Sequence, residues 1–203
     1  MTVTALKQTS QERFTLTLAD GEEIKTTLGV VAAFRLYSEK ELFDAELSEL
    51  RAASSLALCK SRALEMINRR PLSKKELADK LREKGESAED SESCAAWVEE
   101  IGLINEADYA GMIVRHYAEK GCGAGRIRTE LFRRGIPREL WEDALTQMPE
   151  QSDKLQRYIA SRLTDPEDRA QVKKVSDGLY RRGYSWDEIR HALEEFRANI
   201  EDD

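Results

Sequence analysis

A short pattern that recurs three times constrains the fold more than any other feature of the sequence. Leu81–Gly85, Leu131–Gly135 and Leu179–Gly183 each contain a leucine, two variable residues, a cation and a glycine, and they begin 50 and 48 residues apart. This pattern is typical of a helix whose last turn is basic and which ends at a left-handed glycine. A period of this length indicates repeated supersecondary units. We therefore expect a mainly α-helical protein, built as an elongated array of three tandem three-helix repeats.

The period and the helix-boundary signals divide the chain into four segments. Residues 1–49 form an N-terminal extension, and the repeats occupy residues 50–104, 105–148 and 149–203. The 203 residues include only four prolines and 11 glycines, a composition that favours helices over sheets.

In the extension, the helical pattern gives way to alternation. Phe14, Leu16 and Leu18 are separated by threonines, and Asp20-Gly21 is a hairpin turn signal, so we expect a small β-hairpin. A third strand or a helix is expected through residues 30–36. Ser38, with a glutamate three residues later, fits the capping box of a helix that continues to residue 48. This extension is expected to cover the end of the first repeat.

Capping signals indicate where several helices of the repeats begin. Ser73 with Glu76 and Ser185 with Glu188 fit capping boxes, and Asn105 is a favourable N-cap. Each of these residues precedes an apolar stripe at helical spacing.

Other polar segments are expected to separate helices. Residues 86–93 are predicted to form an acidic loop, and residues 165–168, Asp-Pro-Glu-Asp, to begin a helix with an N-cap, a proline and two acids in the first turn. Gly121, Gly123 and Gly125 are predicted to end one helix before the basic helix that follows.

Charge is unevenly distributed along the chain, although the net charge is -7. The second helix of each repeat is net positive: residues 73–84 carry five cations and three anions, residues 126–134 four and one, and residues 169–182 five and one. The third-helix regions are acidic, with six anions and no cation over residues 86–100, and seven anions and two cations over residues 185–203. Repeats that stack in similar orientation would therefore present one basic face and one acidic face.

The repeat register selects candidate binding residues. With the offset of 48, Arg126 corresponds to Lys174 and Arg133 to Arg181. Arg126 and Arg133 are two helical turns apart, as are Lys174 and Arg181, so the two cations of each helix project from the same side of it. The first repeat has glutamates at these positions and offers its cations on another side. The full set of candidate contacts to a partner or nucleic acid is Arg126, Arg128, Arg133, Arg134, Lys173, Lys174, Arg181, Arg182, Lys75 and Arg82. The alternative is that these cations only decorate solvated helix faces and favour C-terminal turns.

The sequence contains no pattern typical of catalysis or of a cofactor site. Cys59, Cys94 and Cys122 lack the spacing of a zinc site or a disulfide scaffold. His116 and His191 lie beside apolar helix positions, so we expect them to be packed or half exposed rather than metal ligands. The glycines from 121 to 125 lack the Lys-Ser/Thr of a phosphate loop. We expect a non-enzymatic protein without cofactor or metal.

Aromatic residues and hydropathy complete these expectations. Tryptophans and tyrosines follow helical spacing and are expected in the core rather than on base-stacking surfaces. No apolar window approaches the roughly 20 residues that a membrane span needs, and the first 30 residues lack a signal-peptide pattern. We therefore expect a cytoplasmic protein that does not bind membranes and acts as a monomer.

Several segments combine into a set typical of one family. In the second repeat they are residues 102–110, Gly123, Arg126-Ile127, Glu130-Leu131 and Arg134-Gly135-Ile136. Together they resemble the central motif of the bacterial RecX family of regulatory proteins. Ser73 with Glu76-Leu77 and Leu81, and the segment Leu179–Ile189, are similar to the first and third repeats of that family. The resemblance covers roughly residues 55–195, and it departs from the family at Pro71-Leu72 and at the acidic segment 86–93.

The resemblance implies a modulator of the RecA recombinase. Members of the family are understood to lie in the helical groove of the RecA filament on DNA and to limit its growth, ATP hydrolysis, strand exchange and co-protease activity. Some members also bind DNA. The expected partner is therefore the RecA filament, with single- or double-stranded DNA as a further candidate. An autonomous nucleic-acid-binding module of tandem three-helix units is the alternative, and a pure scaffold is a third interpretation.

Overall fold

The computed structural model describes the backbone of residues 1–201 and the side chains of residues 1–199. Within this range the protein is mainly helical, with one three-stranded antiparallel sheet near the N-terminus. The chain divides after Ile104 into two compact units. Across the described residues, each helix is too short or too polar to cross a membrane.

The elements are numbered in chain order. The first unit contains β1 Val3–Gln8, β2 Arg13–Leu18, β3 Glu23–Thr27, α1 Leu28–Ala33, α2 Asp44–Ile67, α3 Lys74–Glu83 and α4 Ala88–Glu100. The second unit contains α5 Glu106–Glu119, α6 Ala124–Arg133, a 3-10 helix Arg138–Leu140, α7 Trp141–Leu145, α8 Ser152–Ala160, α9 Arg169–Arg181 and α10 Trp186–Glu201.

The hairpin expected in the extension is confirmed. Strands β2 and β3 pair antiparallel, and Gly21 adopts φ +88° in the turn between them. The third strand is β1, which precedes the hairpin and pairs with β2. A helix, α1, follows the hairpin, so the helix is the alternative that the structure shows after it, while a third strand at β1 was not expected. The alternating leucines 16 and 18 are buried in one core with Leu47 and Leu50 of α2.

The capping box expected at Ser38 is wrong, because no helix begins there. Residues 39 and 40 instead pair with the first strand. Glu39 N donates to Val3 O at 2.8 Å, and Val3 N donates to Lys40 O at 2.9 Å. Helix α2 begins only at Asp44. These long-range backbone bonds satisfy the segment better than one local side-chain cap.

Helix α2 runs without interruption through residues 49 and 50, where the extension was predicted to meet the first repeat. Its N-terminal half packs on the sheet through Leu47 and Leu50, and its C-terminal half packs on α3 and α4 through Cys59 and Ala63. One long helix therefore belongs to two hydrophobic cores. The four segment boundaries stay a prediction.

The first repeat begins its second helix as expected. Glu76 N donates to Ser73 Oγ at 3.0 Å, and Ser73 N donates to Glu76 Oε2 at 3.3 Å, which completes the capping box. The loop expected over residues 86–93 is wrong, because α4 begins at Ala88 with Ser87 as its N-cap. Acidic residues in the first turn of a helix are stabilised by its dipole, so the acidic run favours a helix start.

The three repeated endings have one backbone geometry. Gly85, Gly135 and Gly183 adopt φ of +91°, +71° and +92°. In each case the residue after the glycine donates its N–H to the carbonyl of the pattern's leucine, at 3.0 to 3.3 Å. This is the Schellman arrangement, in which a left-handed residue satisfies the last carbonyls of the helix. The helix ends predicted from the pattern are therefore confirmed.

Each repeat has its own apolar core. The second core contains buried residues of α5, α6 and α7, and the third contains buried residues of α8, α9 and α10. The fold class is thus confirmed as three tandem three-helix units with a small N-terminal sheet. Asn105 caps α5, accepting from Asp108 N at 3.1 Å, as expected.

The start of α9 differs from expectation. Asp168, not Asp165, is the N-cap, and it accepts from Ala170 N at 2.8 Å and from Gln171 N at 3.3 Å. Asp165 instead accepts from Glu167 N at 2.9 Å in a separate turn that contains Pro166. The expected cap of α10 is confirmed, since Glu188 N donates to Ser185 Oγ at 3.3 Å.

Candidate basic interaction surface

The basic helices of the second and third repeats meet end to end. At the start of α6, Gly123 N donates to Arg182 O and Gly125 N donates to Gly183 O, both at 2.9 Å. The first N–H groups of α6 are thereby satisfied by carbonyls that follow the end of α9. A Cβ on Gly123 would lie 2.5 Å from Gly183 O. The predicted helix break at these glycines is therefore also a close backbone contact between repeats.

Arg126 and Arg133 converge on one buried carboxylate. Arg126 Nη2 lies 3.0 Å from Glu130 Oε1, and Arg133 Nη2 lies 2.9 Å from Glu130 Oε2. The Glu130 side chain is 5% exposed, whereas the arginines are mainly exposed. The two arginines do project from one side of α6, as the register predicted. Their charge, however, is partly neutralised within the helix.

The environment of Glu130 favours its ionised form. Burial raises the pKa of Glu130. Hydrogen bonds from Arg133 and Tyr117, together with the charges of Arg133 and Arg126, lower the pKa by more than burial raises it, so the pKa lies below its usual value. The hydrogen bond to Glu130 likewise raises the pKa of Arg133. The three charged groups therefore form a permanent cluster with one net positive charge.

Two further candidates, one on α6 and one directly after its last residue, also make internal contacts. Arg128 Nη2 lies 3.1 Å from Glu142 Oε1 of α7. Arg134 Nη1 donates to the Tyr109 hydroxyl at 2.6 Å and lies 5.9 Å from the centre of that ring. The three arginines of α6 and the Arg134 that follows them thus help to hold the second repeat together.

Helix α9 presents its cations differently. Lys173, Lys174 and Arg181 are exposed, and no carboxylate lies within 4.0 Å of them among the residues that the structure describes. The reason is visible in the register, because Gly178 occupies the position that Glu130 has in α6. Tyr158 packs its hydroxyl against Gly178, where a side chain would otherwise lie. The charge of these cations is therefore available to a partner.

Arg182 faces inward rather than outward. Its Nη1 donates to Lys120 O at 3.4 Å and to Gly121 O at 3.5 Å, and its guanidinium lies 4.8 Å from the centre of the Tyr158 ring. It therefore joins the end of α5 to the third repeat. This contact gives Arg182 a structural role that the register did not predict.

A group of cations surrounds Tyr158, and of these the sequence predicted only Arg182 as a candidate contact. Lys120, Lys154, Arg157, Arg162 and Arg182 line a cavity of about 390 Å³ beside the Tyr158 ring. Arg162 stacks on the same ring at 4.0 Å. Among the side chains of residues 1–199, none of these five has an ion-pair partner. The four cations other than Arg182 lie on α8 or in loops, outside the basic second helices.

An adjoining groove links this group to α9. Arg162, Lys174 and Arg181 line it together with Tyr158, and its volume is about 430 Å³. The candidate basic surface is therefore the α8–α9 face of the third repeat, defined here by Arg162, Lys173, Lys174 and Arg181.

The first-repeat candidates are brought together around a single aspartate. Lys75 Nζ lies 2.7 Å from Asp79 Oδ2, and Arg82 pairs with the other oxygen of Asp79. Hydrogen bonds from Lys75 and Arg82 lower the pKa of Asp79. Arg82 also lies 3.6 Å from Glu92 of α4. These two cations are therefore compensated within the first unit.

The expectation that tyrosines and tryptophans lie in the core is only partly met. His116 and His191 are exposed, the less packed of the two placements expected for them, and His116 contacts the edge of the Tyr117 ring. Tyr180 and Trp186 are also exposed, although Tyr109 and Tyr184 are buried as expected. Helical spacing alone does not show that a residue lies in the first or last turn of a helix, where an aromatic side chain can be exposed to solvent.

Comparison with known proteins accounts for all three repeats. Residues 59–95, 105–145 and 155–193 match the models of the first, second and third three-helix domains of RecX. A regulatory protein RecX from Vibrio vulnificus is 31% identical over 139 residues, which cover 66% of this chain and 90% of that protein. The chain belongs to the RecX family. A RecX from Stenotrophomonas maltophilia is 34% identical over 134 residues, covering 64% of this chain and 82% of that protein.

Solved RecX structures share this architecture. A crystal structure of regulatory protein RecX superposes with a TM-score of 0.75 at 25% identity, covering 96% of this chain and 98% of that one. RecX from Lactobacillus salivarius superposes with a TM-score of 0.63 at 24% identity, covering 72% and 99%, which supports the fold. The RecX domain matches contain α3, α6 and α9, so the basic helices belong to the shared part of the chain.

Proposed function

We propose that this protein regulates the RecA recombinase by binding its filament on DNA and limiting ATP hydrolysis, strand exchange and co-protease activity. The observation that carries the proposal is the match of all three repeats to RecX domains. The RecX relatives are named as regulatory proteins. No catalytic step is assigned to the protein, and regulation follows from binding.

The α8–α9 face supplies the attraction in this proposal. The positive charge of a cation without an internal partner is not neutralised by a neighbouring carboxylate. The electrostatic field of such cations steers association with negatively charged surfaces. Lys174 and Arg181 meet this condition, whereas Arg126 and Arg133 share Glu130. We therefore assign the main electrostatic contact to the third repeat and a supporting contact to α6.

Inhibition would follow from contacts to more than one recombinase subunit. Each three-helix repeat has its own core, so separate repeats can contact neighbouring subunits of a filament without unfolding. A bridge of this kind would oppose the subunit movements that accompany ATP hydrolysis and filament growth. The proposal includes a monomeric protein, which sedimentation of the free chain would check.

The proposal is tested with the cognate recombinase on single-stranded DNA. Increasing amounts of this protein are expected to reduce the steady-state rate of ATP hydrolysis, and to reduce strand exchange at the same concentrations. An unchanged ATPase rate at saturating protein would contradict it. A reduction that disappears when excess free single-stranded DNA is added would favour the alternative, an autonomous nucleic-acid-binding module that sequesters the DNA.

A further inference from the structure

Two exposed aromatic side chains stack on each other where α9 gives way to α10. The ring centres of Tyr180 and Trp186 are 5.0 Å apart and the ring planes differ by 17°. The side chains are 54% and 51% exposed, respectively, so neither belongs to the core of the third repeat. The Schellman turn at Gly183 holds them together, because it fixes the end of one helix against the start of the next.

The aromatic pair borders a basic groove. Tyr180 lines a groove of about 670 Å³ together with Arg126 and Arg128 of α6 and Arg181 of α9. The backbone of Gly125 and Gly183 also lines this groove, and the two glycines approach each other through a hydrogen bond of 2.9 Å. Three guanidinium groups therefore surround a space that has an aromatic wall.

The carboxylate in this groove is already engaged. Glu188 Oε2 accepts from Ser185 N and from Ser185 Oγ, both at 2.7 Å, as part of the cap of α10. Arg181 has no carboxylate within 4.0 Å in the described part of the chain. Arg126 and Arg128 are paired with Glu130 and Glu142, which do not line the groove, so Arg181 is the unpaired cation that an anionic ligand would meet there.

From this arrangement we infer that Tyr180 and Trp186 form a stacking site for a base of single-stranded nucleic acid, with the adjacent phosphates on Arg126, Arg128 and Arg181. Aromatic side chains beside a positively charged groove are the combination that binds single strands without sequence preference. A flat, exposed ring pair offers a surface to another planar ring, and a base in a single strand is free to stack on it. This inference goes beyond the proposed function, because it requires no recombinase.

The second repeat supplies a natural comparison. Phe132 corresponds to Tyr180 at the offset of 48, is followed by the same two arginines, and is 65% exposed. At the position of Trp186 the second repeat has Arg138 instead. Phe132 therefore resembles Tyr180 in its exposure and in the two arginines that follow it. It has no stacked aromatic partner among the described ring contacts.

The test compares two oligonucleotides of equal length and charge, in the absence of recombinase. One is an oligothymidylate of about 15 nucleotides, and the other is its abasic analogue. Binding is followed by anisotropy of an end label, and stacking is followed by quenching of tryptophan fluorescence. The full-length protein is expected to bind the base-containing strand roughly tenfold more tightly and to show quenching only with that strand.

Variants distinguish the stacking site from its surroundings. Tyr180→Ala with Trp186→Ala is expected to remove the preference for bases while leaving the affinity for the abasic strand. Phe132→Ala is the matched control and should keep the preference. Trp186→Phe should keep the preference but lose most of the quenching, because it retains a ring and removes the fluorophore. Arg181→Gln should weaken binding of both strands.

Defined outcomes would overturn the inference. These are equal affinities of the unmodified protein for the two strands, binding to neither strand, or a base preference that survives the double alanine variant. A variant that loses suppression of recombinase ATPase but never affects DNA binding would identify the aromatic pair as a protein contact instead. The comparison of the two strands needs no substitution, so equal affinities would overturn the inference even if a variant fails to fold.

Discussion

Glu130 is the residue on which the charge of α6 depends. It is buried, it holds Arg126 and Arg133 in place, and Tyr117 of α5 also donates to it. A buried carboxylate surrounded by three donors stabilises the repeat only while it is ionised. The two arginines that the register selected for binding are therefore also structural residues, and charge reversal at either one would place two carboxylates side by side.

We expect Glu130→Gln to lower the free energy of unfolding by about 2 kcal/mol near neutral pH, because it removes charge-assisted hydrogen bonds. The folded pKa of Glu130 lies below its ordinary value of 4.5, so its contribution is present above pH 4.5 and is lost as the pH falls through the folded pKa. Urea denaturation at neutral and acidic pH measures this. The difference between the variant and the unmodified protein should shrink in acid.

Glu142→Gln is the control for this prediction. Glu142 also pairs with an arginine of α6, but its side chain is 75% exposed. Exposed ion pairs contribute about 0.5 kcal/mol or less, so the change should be small at every pH. Equal destabilisation by the two variants would show that burial of Glu130 is not the cause.

The cysteines should differ in reactivity. Burial raises the pKa of Cys59 to about 12 and also raises the pKa of Cys94, whereas Cys122 is only half buried. Because the thiolate is the reactive form, a thiol reagent at pH 8 should modify Cys122 rapidly and the other two only after unfolding. Cys122→Ser should abolish the rapid phase. Rapid modification of more than one thiol in the folded protein would contradict this arrangement.

At the scale of elements, a backbone contact between the C-terminal end of α9 and the N-terminal end of α6 joins the second and third repeats. Gly183 has φ +92°, and a Cβ there would collide with the backbone nitrogen of Arg126. The same left-handed conformation at Gly85 has open space around it, with nothing within 4 Å of an added Cβ. The two glycines end equivalent helices but differ in what surrounds them.

Gly183→Ala is therefore expected to destabilise the protein by at least about 3 kcal/mol, and Gly85→Ala by only about 1 kcal/mol. The smaller figure is the cost of a left-handed alanine, and the larger one adds displacement of α6. Urea denaturation followed by circular dichroism compares them. Similar losses would mean that the contact between the two helix ends contributes little to stability.

The helices and their ends could be predicted from sequence because their signals are local. The capping box at Ser73 and the glycine endings depend on residues within five positions of one another. The pairing of Lys40 with Val3 could not be read in this way, because it joins distant segments through backbone atoms.

The candidate site could be predicted in part. Glu130 and Gly178 occupy the same repeat position, so the repeat register itself indicates that the cations of α6 have a carboxylate partner and those of α9 lack one. The group around Tyr158 combines α8, α9 and the end of α5, and no single segment indicates it.

At the scale of the whole molecule, we propose that cations without internal partners, rather than the most conspicuous arginines, bind the recombinase filament. The α8–α9 face combines unpaired positive charge with contributions from two helices. The net charge of -7 makes such a face distinctive, and the candidate cations Lys75, Arg82, Arg126 and Arg133 are compensated by carboxylates within the fold. Suppression of recombinase activity should therefore depend on this face and weaken as salt is added.

The most direct measurement is the suppression of recombinase ATPase by Lys174→Glu/Arg181→Glu beside a matched variant, Lys7→Glu/Lys25→Glu. Both variants make the same change in net charge. Lys7 and Lys25 are exposed, lie on either side of Thr15 on the two neighbouring strands, and have no ion pair with any described side chain. We predict that the first variant needs roughly tenfold more protein for half-maximal suppression and that the second behaves like the unmodified chain. Equal loss in both variants, or loss in neither, would contradict the account.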